Sequence, residues 1–295
     1  MSPLIQLARP RTLPLAFAVI CCGNALAYHD GTWHPLVFIL ALLTALSLQI
    51  LSNIANDYGD GIRGTDRARP ASAPRRLTAN GEVSPAYMRR LLAACTLASL
   101  VLGIALLSVS ALDWRGFFAF LGLGVLAITA AITYTVGRCA YGYHALGEIS
   151  VFTFFGLLGV LGSYYLQSGS LHPTLLLPAA ACGLLAAAVL NINNIRDITS
   201  DRIAGKQTLA VKLGFARAKQ FQYILLSAAG CCYLTYALLS QAYTSLLWLL
   251  LLPLVSTHAR ALHRAADQMT AGVELKRIVC CACGMNVLFS VGLCL

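Results

Sequence analysis

Two polar segments, each following a long apolar run, carry the residue types best suited to chemistry. In the first, "NIANDYGDGIRGTD" (53–66), amides and carboxylates recur with the spacing i, i+3, i+4 and i+7. These residues are Asn53, Asn56, Asp57 and Asp60. They share one face if the preceding helix continues past its apolar run. Like charges on one helical face repel each other, so the pattern favours a shared cation.

The second segment, "NINNIRDITSDRIAGKQTL" (191–209), repeats this pattern with Asn194, Asp197 and Asp201 at i, i+3 and i+7. A single aspartate at a helix end is usually a cap or a solvated charge, but two spaced sets on one membrane face favour a joint site. Carboxylate and amide oxygens suit Mg²⁺, which keeps some waters and takes further oxygens from substrate phosphates. The predicted metal ligands, also predicted to be catalytic, are Asp57, Asp60, Asp197 and Asp201.

Basic residues lie between these acids and are of the types that hold diphosphate oxygens. The candidates for diphosphate binding are Arg63, Arg202 and Lys206. Asn53, Asn56 and Asn194 are expected to give polar support to the metal ligands. The predicted substrate-binding set also includes Asp66 and Arg138.

The composition places these segments in a membrane protein. The chain is 58% apolar and 11% charged, with a mean hydropathy of +0.74, whereas soluble domains are about a quarter charged. Apolar runs near the roughly 20 residues that span a bilayer recur along its length, and none alternates as barrel strands do. We predict an all-α fold with about nine transmembrane helices in one domain, residues 1–295. The predicted spans are 13–30, 35–56, 87–110, 113–134, 147–167, 172–193, 220–240, 243–260 and 276–295.

The charges predict an orientation for these helices. If the loops alternate sides, all of the 21 Lys and Arg residues except Arg115 fall on one face. Basic loops stay in the cytoplasm, so we expect the N-terminus inside, the C-terminus outside and a bacterial cytoplasmic membrane as the location. The opening residues are expected to be a retained cytoplasmic start. The acidic loops, about 57–86 and 194–219, then face the cytoplasm, and a nucleic-acid partner is not expected because the charge lies between spans.

The acidic residues suit Mg²⁺, the basic residues suit phosphate, and the apolar helices form a membrane bundle. Together, these features predict a substrate with a diphosphate head and a lipid tail. Prenyl diphosphates have this chemistry. A cation-coupled transporter is the alternative from another class, since acids at membrane depth also mark ion pathways. Transporter sites lie near the midplane, whereas these acids lie at one membrane face, which favours the enzyme.

The two segments resemble those of a known family, the intramembrane aromatic prenyltransferases of the UbiA superfamily. Asn56, Asp57 and Asp60 match its N-D-x-x-D motif, and Asp197 and Asp201 match its D-x-x-x-D motif. The resemblance is greatest to the members that prenylate 1,4-dihydroxy-2-naphthoate in menaquinone synthesis. It rests on "RPRTLPLAFA", "ILSNIANDYGDGIRGTD", "AAITYTVGRCAYGYHALGEISVFTFFG" and "AVLNINNIRDITSDRIAGKQTLAVKLG".

The resemblance implies a fold, a cofactor and two substrates. The helices would surround a central cavity that opens sideways for the prenyl tail, with Mg²⁺ stabilising the diphosphate as it leaves. The substrates would be a polyprenyl diphosphate and 1,4-dihydroxy-2-naphthoate, with 4-hydroxybenzoate or homogentisate as alternative acceptors. Tyr134, a predicted catalytic residue, and Arg138 lie at the end of the fourth span, where they would face the reacting centre or the naphthoate carboxylate.

Overall fold

The computed structural model describes residues 3–64, 77–78, 81–138 and 140–295. Within these ranges, nine helices are long and apolar enough to cross a membrane. They are α1 (Leu4–His29), α2 (Pro35–Arg63), α3 (Pro85–Val109), α4 (Trp114–Thr133), α5 (Gly147–Ser168), α6 (Pro173–Arg196), α7 (Leu209–Leu239), α8 (Tyr243–Arg264) and α9 (Gln268–Leu293). The described part of the chain forms no strand beyond one isolated bridge between His144 and Gln207. For the residues that the structure describes, the predicted all-α class and the nine spans are confirmed.

Several helices extend beyond their predicted apolar cores. The chain is already helical from Leu4, although it is interrupted at Arg9, which precedes a 3-10 turn over Pro10–Thr12. Arg9 has a φ of +50°, and a residue before proline is disfavoured in the α region. Helix α7 begins eleven residues before the predicted start at 220. Hydropathy locates only the part of a helix that lies in the bilayer, so polar turns at the ends are missed.

Helix α6 forms the centre of the C-terminal half, where it packs against α5, α7 and α9. Its buried face is built of small residues, among them Ala179, Cys182 and Gly183. Small residues let helices in a membrane approach closely. At Gly156 of α5 the approach is so close that a Cβ atom would lie 2.6 Å from the carbonyl oxygen of Ala179. Helix α6 is therefore tightly packed in its first half, and the second polar segment begins near its C-terminal end.

Helix α2 has the same position in the N-terminal half, with α1, α3 and α4 packed around it. Helix α1 connects the two halves, since it contacts α5, α6 and α9 as well as α2. Both polar segments follow an even-numbered helix, and a contact between Lys206 and Asp60 places their ends side by side. The fold therefore brings two segments that are distant in the sequence, 53–66 and 191–209, to one end of the bundle.

Candidate active site

The first polar segment belongs to α2, which continues as a helix to Arg63 and ends at Gly64. The predicted acidic face therefore exists. The side chains of Asp57 and Asp60 are buried, each with 3% of its surface exposed. Asp57 Oδ1 accepts hydrogen bonds from the backbone N–H of Thr78 at 3.1 Å and from the Thr78 hydroxyl at 2.7 Å. A short piece of the following loop thus holds this carboxylate.

Tyr143 connects Asp60 with two of the predicted diphosphate-binding residues. Its hydroxyl donates to Asp60 Oδ1 at 2.8 Å, while Lys206 Nζ lies 3.8 Å from Asp60 Oδ2. The Arg63 guanidinium lies 4.3 Å from the centre of the Tyr143 ring, and Lys206 Nζ lies 5.3 Å from it. Arg63 also donates a hydrogen bond to the carbonyl of Gly137. One aromatic ring therefore positions two cations beside a buried carboxylate.

The second polar segment is not one continuous helix, in contrast to the predicted face. Helix α6 ends at Arg196, and a short helix over Ile198–Ile203 follows. Asp197 lies at the break with φ −96° and ψ 6°, although its carbonyl still accepts from the N–H of Asp201 at 2.8 Å. Both carboxylates are buried. The i, i+3 and i+7 spacing holds in the sequence, but the break changes how the acids are presented.

Arg196 holds Asp197 in a two-point ion pair. Its Nε donates to Asp197 Oδ1 and its Nη2 to Oδ2, both at 2.7 Å. The side chains are 10% and 2% exposed, and such fork-shaped pairs are strong. The start of α9 covers this pair, because a Cβ atom added at Gly272 would lie 2.5 Å from Arg196 Cγ. Gln268 Oε1 also accepts from the Thr199 hydroxyl at 2.8 Å.

The loop after α4 lies between the two segments and contacts both. The carbonyl of Tyr143 accepts from the N–H of Gln207 at 3.1 Å, while its side chain reaches Asp60. On the other side, the Thr135 hydroxyl lies 3.2 Å from Asn56 Oδ1. Gly59 makes this approach possible, since a Cβ atom there would lie 2.6 Å from Thr135 Oγ1.

Tyr134, one residue beyond α4, lies among the acids of the site. Burial raises the pKa of Tyr134, and the negative charges of Glu148 and Asp60 raise it further. Its hydroxyl therefore stays protonated at neutral pH. The ring end packs on the start of α5, where a Cβ atom added at Gly147 would lie 2.7 Å from the Tyr134 hydroxyl oxygen.

The other predicted residues lie at varying distances from this centre. Asn53 binds the chain start, donating to the Ala8 carbonyl and the Thr12 hydroxyl, both at 2.9 Å. Asn194 Nδ2 donates to Glu148 Oε1 at 2.9 Å. The side chains of Arg138 and Arg202 are exposed. Asp66 lies outside the described residues.

Three residues of the site were not predicted from the sequence: Thr78, Tyr143 and Glu148. Glu148 carried a usable signal, because an acid at the start of an apolar helix is costly unless it has a function. Tyr143 and Thr78 carried none, since neither residue type is unusual in a loop. Their role depends on which carboxylate the fold places beside them.

The donor set fits Mg²⁺ that arrives with a diphosphate. Among the described residues, no group of three or more His, Cys, Asp or Glu side chains is close enough to hold a metal ion. Mg²⁺ in phosphate-transfer sites is bound by about one or two carboxylates, with waters and phosphate oxygens completing the shell. Each segment has two buried aspartates, which can supply the one or two carboxylate ligands that a Mg²⁺ ion needs.

The fold and the site define a class: an all-helical membrane protein that gathers carboxylates, amides and basic side chains where two of its helices end. The chain belongs to the UbiA prenyltransferase family, whose sequence profile matches residues 15–276.

The chain is similar to two curated relatives over nearly its whole length. It is 47% identical over 290 residues to the 1,4-dihydroxy-2-naphthoate octaprenyltransferase of Escherichia coli (strain K12), covering 98% of this chain and 94% of that protein. It is 45% identical over 291 residues to the protein of the same name in Haemophilus influenzae, with 98% and 94% covered.

Two solved structures share the fold. A UbiA homolog from Archaeoglobus fulgidus bound to GPP and Mg²⁺ superposes with a TM-score of 0.67 at 16% identity, covering 99% of each chain. The apo UbiA homolog from Aeropyrum pernix K1 superposes with a TM-score of 0.67 at 20% identity, covering 96% of this chain and 97% of the other.

Proposed function

We infer that this chain transfers a polyprenyl group from polyprenyl diphosphate to 1,4-dihydroxy-2-naphthoate. CO₂ and diphosphate are released, and demethylmenaquinone is formed in its reduced, quinol form. The observation that carries this inference is the 47% identity over 290 residues with the E. coli relative of that activity. The matched region includes both acidic segments.

The proposed first step is ionisation of the allylic C–O bond. Lys206 and Arg63, held beside Asp60 by Tyr143, are positioned to bind the diphosphate oxygens, with Arg202 as a further candidate. Bound Mg²⁺ would stabilise the departing diphosphate, and a family member from A. fulgidus has been solved with DMAPP and Mg²⁺. The residues proposed to hold the metal are Asp57, Asp60, Asp197 and Asp201, supported by Asn53, Asn56 and Asn194.

The proposed second step is attack of the electron-rich naphthoate ring on the allylic cation. A new C–C bond forms, and the carboxylate leaves as CO₂, returning its bonding electron pair to the ring. Tyr134 is neutral at working pH, so its ring can face the cation without adding a charge that would trap it. Arg138, which is exposed, is proposed to guide the naphthoate carboxylate, and Asp66 to assist substrate binding.

An assay with isolated membranes tests this function. The membranes are incubated with 1,4-dihydroxy-2-naphthoate, a series of prenyl diphosphates and Mg²⁺, and the quinone is identified by mass spectrometry. We expect demethylmenaquinone, with activity abolished by EDTA and restored by Mg²⁺ or Mn²⁺. Parallel reactions with 4-hydroxybenzoate and homogentisate should give little product. Preferential prenylation of either acceptor would refute the naphthoate assignment, and full activity without metal would refute the proposed ionisation.

We also propose that the chain lies in a bacterial cytoplasmic membrane with its N-terminus inside and its C-terminus outside. The support is the one-sided distribution of basic residues. A reporter fused after Leu295 should be active on the outer face. Glu82→Cys, at an exposed position before α3, should be labelled by an impermeant reagent only when the cytoplasmic side is accessible. The reverse pattern for both probes would invert the proposed topology.

A further inference from the structure

Glu148, the second residue of α5, has no role in the steps proposed so far. Its side chain is buried, with 5% of its surface exposed. It lies at the same end of the bundle as the acidic segments, because its Oε1 accepts a hydrogen bond from Asn194 Nδ2 at 2.9 Å. Its neighbour Gly147 lies against the Tyr134 hydroxyl. Glu148 therefore borders the site between α4 and α6.

The second carboxyl oxygen of Glu148 lacks a partner. Among the described residues, no donor makes a hydrogen bond to Oε2, although this atom is buried. A buried carboxylate oxygen left unpaired is strongly unfavourable. The other buried acids at this end have partners, as Asp57 has in Thr78 and Asp197 has in Arg196. The position of Glu148 is explained if a bound molecule supplies the missing donor.

The chemistry of the proposed substrates identifies which of them supplies the hydrogen-bond donor to Glu148 Oε2. This step rests on the proposed function. A carboxylate accepts hydrogen bonds and donates none. Diphosphate oxygens are acceptors of the same charge, and a prenyl tail has no polar hydrogen. The hydroxyl groups of the aromatic acceptor are the donors that these substrates offer.

We infer that Glu148 accepts a hydrogen bond from a ring hydroxyl of the aromatic acceptor and so orients and activates it. When the ring attacks the allylic cation, positive charge spreads onto the hydroxyl oxygen. The O–H group then becomes a better donor, and its hydrogen bond to a fixed carboxylate strengthens. An interaction that is stronger in the transition state than in the ground state raises kcat as well as binding. Asn194 fixes the carboxylate from its other oxygen.

Acceptor analogues test this contact directly. The acceptors compared are 1,4-dihydroxy-2-naphthoate and its two monomethyl ethers, each of which replaces one donor hydroxyl with a methoxy group. In the wild-type enzyme we expect one ether to lose about 10- to 100-fold in kcat/KM, as expected for a hydrogen bond to a charged group. Glu148→Gln keeps the size of the side chain and removes its charge. It should lower kcat/KM for the diol by a similar factor and leave diol and ether within about threefold of each other.

The controls separate this role from structural and metal-binding roles. In Glu148→Gln, the KM for the prenyl diphosphate and the Mg²⁺ concentration for half-maximal activity should stay within about twofold of wild type. Glu274→Gln is the matched control, because Glu274 is also buried but pairs with His258 and Arg277. It should leave the diol-to-ether ratio unchanged even if it lowers stability.

Three outcomes would overturn the inference. The first is an equal loss for diol and ether in Glu148→Gln, and the second is a large rise in its Mg²⁺ requirement. The third is unchanged kinetics. If the wild-type enzyme prenylates another acceptor and ignores the naphthoate, the proposed function itself is wrong, a result that the wild-type reactions alone reveal.

Discussion

The two acidic segments have similar sequences but hold their carboxylates by different partners. On α2, Asp57 and Asp60 accept hydrogen bonds from the hydroxyls of Thr78 and Tyr143. At the end of α6, Asp197 is paired through both oxygens with the Arg196 guanidinium. A hydroxyl group orients a carboxylate but does not compensate its negative charge. A guanidinium group orients the carboxylate and also compensates the charge.

This difference has a consequence for metal binding. A cation that approaches Asp197 competes with the Arg196 guanidinium, which contacts both carboxylate oxygens at 2.7 Å, whereas the ion pair of Asp60 with Lys206 is longer, at 3.8 Å. The second segment is expected to need displacement of Arg196, which makes it the part of the site that responds to substrate.

The largest expected effect comes from removing one charge from each segment. Asp60→Asn and Asp201→Asn keep side-chain size but weaken the proposed metal site. Each should reduce turnover by at least about 100-fold, or roughly 3 kcal/mol of transition-state stabilisation. Turnover is measured per monodisperse protein in detergent. A much smaller loss in one variant would assign catalysis to the other segment.

Asp267→Asn is the matched control for these variants. Asp267 lies outside both segments and caps the start of α9 through the Thr270 N–H at 2.8 Å. Asparagine is an equally good cap, so turnover should stay within about twofold of wild type. A loss as large as that of Asp60→Asn would show that any acid at this end is needed.

Breaking the Arg196–Asp197 pair should have the next largest effect, and it acts on stability. Arg196→Gln removes the guanidinium from the Asp197 carboxylate and should cost about 2 kcal/mol, less than for a fully buried pair. Because the guanidinium then no longer competes for the Asp197 carboxylate, adding Mg²⁺ should restore more stability in the variant than in wild type. Thermal unfolding with and without Mg²⁺ measures both effects. Equal responses to Mg²⁺ would exclude Asp197 as a ligand.

A smaller effect is expected at the hydroxyl partner of the first segment. Tyr143→Phe keeps the ring that holds Arg63 and Lys206 but removes the hydrogen bond to Asp60. It should lower kcat/KM by about fivefold, which corresponds to the loss of one hydrogen bond of about 1 kcal/mol. Tyr141→Phe is the control, since the Tyr141 hydroxyl donates to the Ala130 carbonyl. Kinetics that do not distinguish the two variants would remove Tyr143 from the site.

The smallest expected effect concerns pH. Because the pKa of Tyr134 is raised in the folded protein, the neutral form is favoured there. Its contribution to stability is complete below the unfolded pKa of about 10 and is lost as the pH rises above that value. Wild type should therefore lose stability more steeply than Tyr134→Phe above about pH 10, with parallel curves at neutral pH. Chemical denaturation at several pH values provides the comparison, and parallel curves throughout would contradict it.

The sequence alone determined the nine membrane-length helices of the described ranges and the positions of the acids. A bilayer of fixed thickness requires apolar runs of a minimum length. Each transmembrane helix can therefore be recognised in the sequence as one continuous apolar run. The face shared by Asn53, Asn56, Asp57 and Asp60 also follows from local helix geometry, because α2 runs unbroken to Arg63.

Tertiary structure decided which partner each carboxylate receives. Tyr143 lies 83 residues from Asp60, and Glu148 lies 46 residues from Asn194, so no local rule relates them. The close approach of α9 to Arg196 is also decided by tertiary packing, since a Cβ atom added at Gly272 would lie 2.5 Å from Arg196 Cγ. Hydropathy and helical periodicity indicate which residues of a segment face solvent, lipid or the protein interior. A hydrogen bond between distant segments depends on atomic positions that only the packed bundle fixes.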